Sequence, residues 1–233
     1  MIQVTLPRAT RLRRAVAISA LAAAALAATA GVVLAPHASR AVPRGAARPR
    51  RAAPPSAAGP LRLVPGAGLV NGIYTRYPHS TAGAVSAATE FLTELGSTLE
   101  PDRAATIARL AADASYPQAG PDAARGTVST RRQLGLPATG SLPPAAAVLL
   151  VPVMYQLRDG TADRLTVLLL FDYTETLPAA IREHLGVTAA QMNWTPDGWR
   201  LMQPAAADLS ALLATPGTAG AARKGWKALA NAV

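Results

Sequence analysis

The stretch VLLVPVMYQL at residues 148–157, followed across Arg158, Asp159 and Gly160 by RLTVLLLFDY at residues 164–173, decides the fold. Two apolar runs rich in β-branched and aromatic residues, separated by a turn that contains Asp-Gly, read as the antiparallel strands of a hairpin. Pro152 removes one ladder donor, so its strand lies at a sheet edge or carries a bulge there. Both strands are apolar on both faces. Val167, Leu169 and Phe171 alternate with Leu168 and Leu170, whereas a sheet with one wet face shows polar residues at every second position. The second face must therefore be covered. Leu168 and Leu170 are the candidate interface, packed on a second copy or on another protein.

Beyond the hairpin, residues 177–185 read as a short helix, with Thr176 as cap, Pro178 in the first turn and Gly186 as stop. Residues 187–194 and 199–203 flank Thr195-Pro196-Asp197-Gly198, a turn in which proline presets φ and glycine takes the left-handed position, so they form a second hairpin. Trp194 and Trp199 face each other across it as core packing. Residues 205–213 read as a last helix, and 214–233 as a flexible basic tail. On the N-terminal side, Ser80 or Thr81 caps a helix to about Leu95 whose Ala84, Val85, Ala88, Leu92 and Leu95 share one face, with Gly96 as its stop. A second helix starts at Pro101 beside Glu100 and Asp102. Residues 118–140 mix glycine and proline and read mainly as a long loop. Helices followed by antiparallel strands give an α+β domain over residues 63–213.

The chain has 233 residues and a net charge of +10, which invites a nucleic-acid role until the charge is located. Ten arginines and no acid lie within residues 1–62, while the other 171 residues hold thirteen basic and thirteen acidic side chains. The folded part is electroneutral and lacks the positive field that phosphate binding needs, so no nucleic-acid partner is expected. Residues 1–14 are a basic n-region. Residues 15–34, AVAISALAAAALAATAGVVL, carry no charge and reach about 30 Å as a helix, enough to cross the hydrocarbon layer. They read as a single-pass N-terminal membrane anchor; the alternative is a signal peptide cleaved after Ala28-Thr29-Ala30, which would release a secreted domain. Either way the C-terminal domain is exported. Residues 35–62, rich in proline and arginine, read as an extended linker.

There is no cysteine, which excludes disulfides, thiolate metal sites and a cysteine nucleophile. No metalloprotease, P-loop, nucleophile-elbow, dinucleotide or calcium-loop motif is present, and no metal or cofactor is expected. One combination carries possible chemistry. Tyr155, Asp172 and Tyr173 place a carboxyl and two phenols on apolar strands, the groups used for ligand binding or for proton transfer at carbon in isomerase sites. The bland reading is a strand-end aspartate and two packing tyrosines, since Asp172 and Tyr173 alternate to opposite faces.

The order of elements resembles the nuclear-transport-factor-2-like (cystatin-like) cone, in which a bent antiparallel sheet wraps N-terminal helices. Two pieces sharpen the resemblance. YPHSTAGAVSAATEFL at residues 77–92 and MNWTPDGWRLMQP at residues 192–204 are similar to the helix opening and closing hairpin of exported accessory proteins of conjugative elements from high-GC Gram-positive bacteria. Here Gly198-Trp199 follows Asp197 directly, so the aspartate usual before the last tryptophan is missing. The resemblance implies a non-catalytic, membrane-anchored extracytoplasmic scaffold of a conjugation or type IV secretion channel that acts through protein contacts or as a homo-oligomer. The alternatives are a secreted small-ligand binder or ketosteroid-isomerase-like enzyme using the cone interior, and a cell-envelope regulator or sensor.

Overall fold

In the computed structural model, which describes residues 60–230, the two apolar runs form β3 (Ala147–Gly160) and β4 (Arg164–Leu177), paired antiparallel. Their register shifts between Pro152 and Met154, so the proline lies beside a bulge, where its missing N–H breaks no ladder bond. The extra residue reverses the alternation. Leu150 and Pro152, opposite Tyr173 and Phe171, share their face with Tyr155, opposite Leu169.

Strand β4 turns through Pro178-Ala179 into β5 (Ala180–Thr195), with Leu177 opposite Ala180. The helix expected over 177–185 is therefore a strand. Thr176 and Pro178 imitate a helix start, but Ile181, Glu183 and Leu185 alternate with Arg182 and His184, and the ladder to β4 continues to the turn. β6 (Gly198–Leu201) follows the expected turn, with Trp194 opposite Trp199. With a short β7 (Lys227–Ala228), the five antiparallel strands lie in the order β6-β5-β4-β3-β7.

The helices sit against one face of this sheet, making the domain α+β. α1 (Thr81–Gly96) begins where Ser80 Oγ accepts the amide of Gly83 at 3.0 Å. Its Ala84, Ala88 and Phe91 pack on Tyr155, Leu169 and Met192. Gly96 is the last helical residue rather than a left-handed stop, and a Cβ there would lie 2.4 Å from Leu150 Cδ1. α2 (Pro101–Ala111) carries Asp102 in its first turn and Arg109 in its last, both suited to the helix dipole. Residues 119–133, expected as loop, form α3 (Ala119–Gln133). Pro121 is tolerated because it lies in the first turn, where its missing N–H has no intrahelical partner to lose. Gly120 lets α3 approach α2, since a Cβ there would meet Ala105 O at 3.2 Å. Before α1, β1 (Gly68–Val70) and β2 (Ile73–Thr75) form a small hairpin over Asn71-Gly72, both at positive φ as a primed turn requires.

Around Leu168 and Leu170 the other sheet face is covered by the chain's own C-terminal segment. Leu168 and Leu170 are 2% and 0% exposed, packed with Met154, Val187, Ala221 and Trp226, and flanked by Leu209, Leu212 and Leu213. This corrects the expectation that they meet another subunit. It also corrects the reading of residues 205–213 as a helix and of the tail as flexible. Only Ser210–Leu212 is helical there, as one 3₁₀ turn. Beyond it come α4 (Ala219–Arg223), capped by Thr218, and β7 beside Met154 and Tyr155 on β3. Lys224 Nζ donates to the carbonyls of Ala211 and Leu213 at 2.7 Å each, and Trp226 Nε1 donates to Leu212 O at 2.8 Å, so this strap is bonded to itself as well as packed.

Leu61, expected in the linker, belongs to the domain: it is buried, and its amide donates to Ala228 O at 3.0 Å. The n-region 1–14, the anchor or signal segment 15–34 and the linker as far as residue 59 lie outside the described residues. Among the described residues no helix is long and apolar enough to cross a membrane.

Candidate functional site

The sheet is longer than α1, which covers only part of its helix-facing side. α2 and α3 pack on each other, and between them and the outer half of β4 and β5 lies a groove of about 660 Å³. The helices line it with Ala104, Ala108, Ala119 and Ala123, the end of α1 with Leu92 and Leu95, and the sheet with Leu150, Phe171 and Ala190. Small side chains on the helices leave this space open. On the sheet, Gly186 lies opposite Phe171, and a Cβ at Gly186 would sit 2.3 Å from Phe171 Cζ, so the ring occupies the place of the missing side chain. Residues 201–209 form a third wall.

One end of the groove is polar. Strand register places Tyr173 opposite His184 and Glu175 opposite Arg182, and the period of two turns all four toward the groove. The Glu175 carboxylate is 12% exposed and lies 3.4 Å from His184 Nε2 and 3.7 Å from Arg182 Nη1, side chains that are themselves 43% and 54% exposed. Burial, and then the charge of Glu175, push the Tyr173 phenol up to about 12, so it remains a protonated hydrogen-bond donor at neutral pH. At the other end, Tyr116 donates to Asp122 Oδ2 at 2.8 Å. Burial, with Asp122 adding to it, raises that phenol too.

Of the three residues expected to cooperate, only Tyr173 faces this groove. Asp172 is exposed on the opposite side of β4, as strand alternation dictates. Tyr155 is fully buried under α1 in the main core, where desolvation raises its phenol. Arg182 and His184 are hidden by the helix reading of residues 177–185, and Glu175 lies beyond the strand end read at Tyr173. Residues 181–185, Ile-Arg-Glu-His-Leu, do not alternate apolar with charged side chains, so only the long-range ladder to β4 brings the three together. Among the described residues there is no group of three or more side chains placed to hold a metal ion.

The two family-like motifs meet elsewhere, as a clasp. Trp199 Nε1 donates to Pro78 O at 3.0 Å, and the His79 ring stacks on Trp194 at 4.3 Å with 11° between planes. His79 Nε2 reaches Asp163 Oδ1 at 2.9 Å. These residues join the closing hairpin and the β3–β4 turn to the start of α1, well apart from the groove lining. No known protein family, no curated protein and no solved structure matches the chain.

Proposed function

We propose that this is a non-catalytic binding protein of the cell envelope, tethered by its N-terminal apolar segment and working outside the cytoplasm, and that its ligand site is the groove between α2, α3 and the sheet. The observation that carries this reading is the groove. Its volume of about 660 Å³ falls within the few hundred to about 1,000 Å³ of small-molecule sites, and it combines alanine, leucine and phenylalanine walls and scattered neutral hydroxyls and amides with a charged cluster at one end. Helices seated on one face of an antiparallel sheet are in keeping with a nuclear-transport-factor-2-like cone, which supports placing the ligand in its interior. At Leu168 and Leu170, the residues first expected to bind a partner, the sheet face is filled by the C-terminal strap, which favours the groove over that part of the face.

A photoreactive alkyl diazirine, irradiated with the full chain in membranes and mapped by peptide mass spectrometry, tests this. Labelling of α2 and α3 that disappears in Ala123→Trp, at a half-buried residue of the groove lining, is the expected result. Labelling confined to residues 15–34, or unchanged in Ala123→Trp, overturns the reading.

A second reading, an accessory of a conjugation or secretion channel that acts through protein contacts, is favoured by a separate observation. Leu149, Ile181 and Leu185 are 50%, 69% and 38% exposed on the sheet's outer side. The double variant Leu149→Glu, Ile181→Glu should then lose migration in a high-mass membrane complex on native gels. Unaltered migration, or migration of the unmodified chain alone, contradicts it.

A further inference from the structure

We infer that the groove takes an amphiphile with an anionic head, a single alkyl-type chain ending in a carboxylate, and that Arg182 is the residue that selects the head group. This rests on the groove being a ligand site. Away from the polar end no charged side chain lines the groove: Ala104, Ala108, Ala119 and Ala123 are joined there only by neutral groups such as Thr127, Thr130 and Gln133, so a ligand carries no second charge along its length. The charged side chains lining the groove are Glu175, Arg182 and His184, gathered at one end.

Their arrangement is asymmetric. Glu175 is the buried member, and Arg182 and His184 are the exposed ones, so a head group arriving from solvent meets them first. Arg182 approaches Glu175 only to 3.7 Å, beyond hydrogen-bond length, which leaves the donors of its planar fork for a second carboxylate. Tyr173, opposite His184 and held protonated, adds a neutral donor at the same end. An ammonium head would instead meet the Arg182 guanidinium before it reached Glu175, and a hydroxyl head would leave the Arg182 fork without an anionic partner.

Three diazirine probes of identical chain, with carboxylate, hydroxyl and ammonium heads, distinguish these cases on the full chain. The carboxylate probe should label α2 and α3 at about tenfold lower concentration than the alcohol, the scale of one charge-assisted pair. Arg182→Gln should remove that preference, so that the carboxylate and alcohol probes label at similar concentrations, and Arg182→Lys, which keeps the charge but loses the fork, should restore part of it. Equal labelling by carboxylate and alcohol in the unmodified chain, or preference for the ammonium probe, overturns the assignment of an anionic ligand while the groove itself stands. Failure of all three probes to label the groove removes the underlying reading as well.

Discussion

The indole of Trp199 donates to the carbonyl of Pro78 across 121 residues of sequence, and this one bond ties the closing hairpin to the residue two places before the cap of α1. Trp199 is 2% exposed, and Gly198 beside it, at φ +103°, brings the hairpin backbone against Arg76. The resemblance-bearing motifs therefore have a mechanical explanation: they close the domain on itself.

Trp199→Phe, which keeps a ring but loses the donor, should cost about 0.5–1.5 kcal/mol, the worth of one hydrogen bond, because Pro78 O still accepts from Ser80 N at 2.8 Å. Trp199→Ala should cost about 3–5 kcal/mol. Urea denaturation of the two variants checks both values, and a Trp199→Phe variant as stable as the unmodified chain would show that the bond to Pro78 contributes nothing.

Leu170→Lys should prevent folding rather than dissociate an assembly, because the side chain is fully enclosed by the chain's own residues and a buried unpaired ammonium costs several kcal/mol. Circular dichroism and sedimentation of the same sample separate the outcomes: a folded monomer derived from a larger species would restore the oligomer interface.

Trp226→Ala should cost about 3–5 kcal/mol and loosen the strap over Leu168 and Leu170. The uncovered leucines should then raise binding of a hydrophobic dye and promote self-association. An unchanged melting temperature would mean that the strap is not anchored by this indole.

Asp113 predicts the acid response. Hydrogen bonds from Ser115, then from Asn193 Nδ2 at 2.9 Å, and the charge of Arg164 hold its carboxyl below the usual value of 3.8. A carboxyl depressed in the folded state stabilises it at neutral pH, and this contribution is lost as the pH falls below that value and through the folded pKa. Asp113→Asn should therefore be less stable than the unmodified chain at pH 7 and lose less stability between about pH 4 and pH 2. Parallel acid-dependence curves for the two proteins would contradict the assignment.

The elements legible in the sequence are those whose local chemistry and tertiary role agree. The β3–β4 hairpin, the Pro152 bulge, the Ser80 cap, the Pro101 start of α2 and the Trp194–Trp199 pair follow from turn residues, capping and periodicity. The doubly apolar strand also announced that its second face is covered; what covers it was not legible, because residues 205–230 bury only scattered apolar side chains and form no long periodic element. α3 was obscured by Gly120, Pro121 and Gly126, which a helix tolerates here because proline sits in its first turn and small residues meet α2. At Thr176-Leu177-Pro178 the same residues suit a helix start and a hairpin turn, and long-range pairing with β4 chose the turn. That one ambiguity hid Arg182 and His184 at the polar end of the groove.

Gly186→Ala should destabilise by about 1–3 kcal/mol, since its Cβ would overlap the Phe171 ring and drive that ring toward the groove. Binding of any alkyl probe should weaken in parallel, and a variant with full stability and full labelling would show that Phe171 does not form the groove floor.

In the proposed reading the space beside α2 and α3 holds a ligand with an apolar chain, and the alanine-methyl NMR spectrum of the full chain, titrated with decanoate below its micelle concentration, tests this. Saturable shifts of the Ala104, Ala108 and Ala123 methyls, with the Ala221 methyl beneath the strap unmoved, are the predicted result. Methyls along α2 and α3 that stay fixed throughout the titration, or shifts confined to the strap side of the sheet, would contradict it.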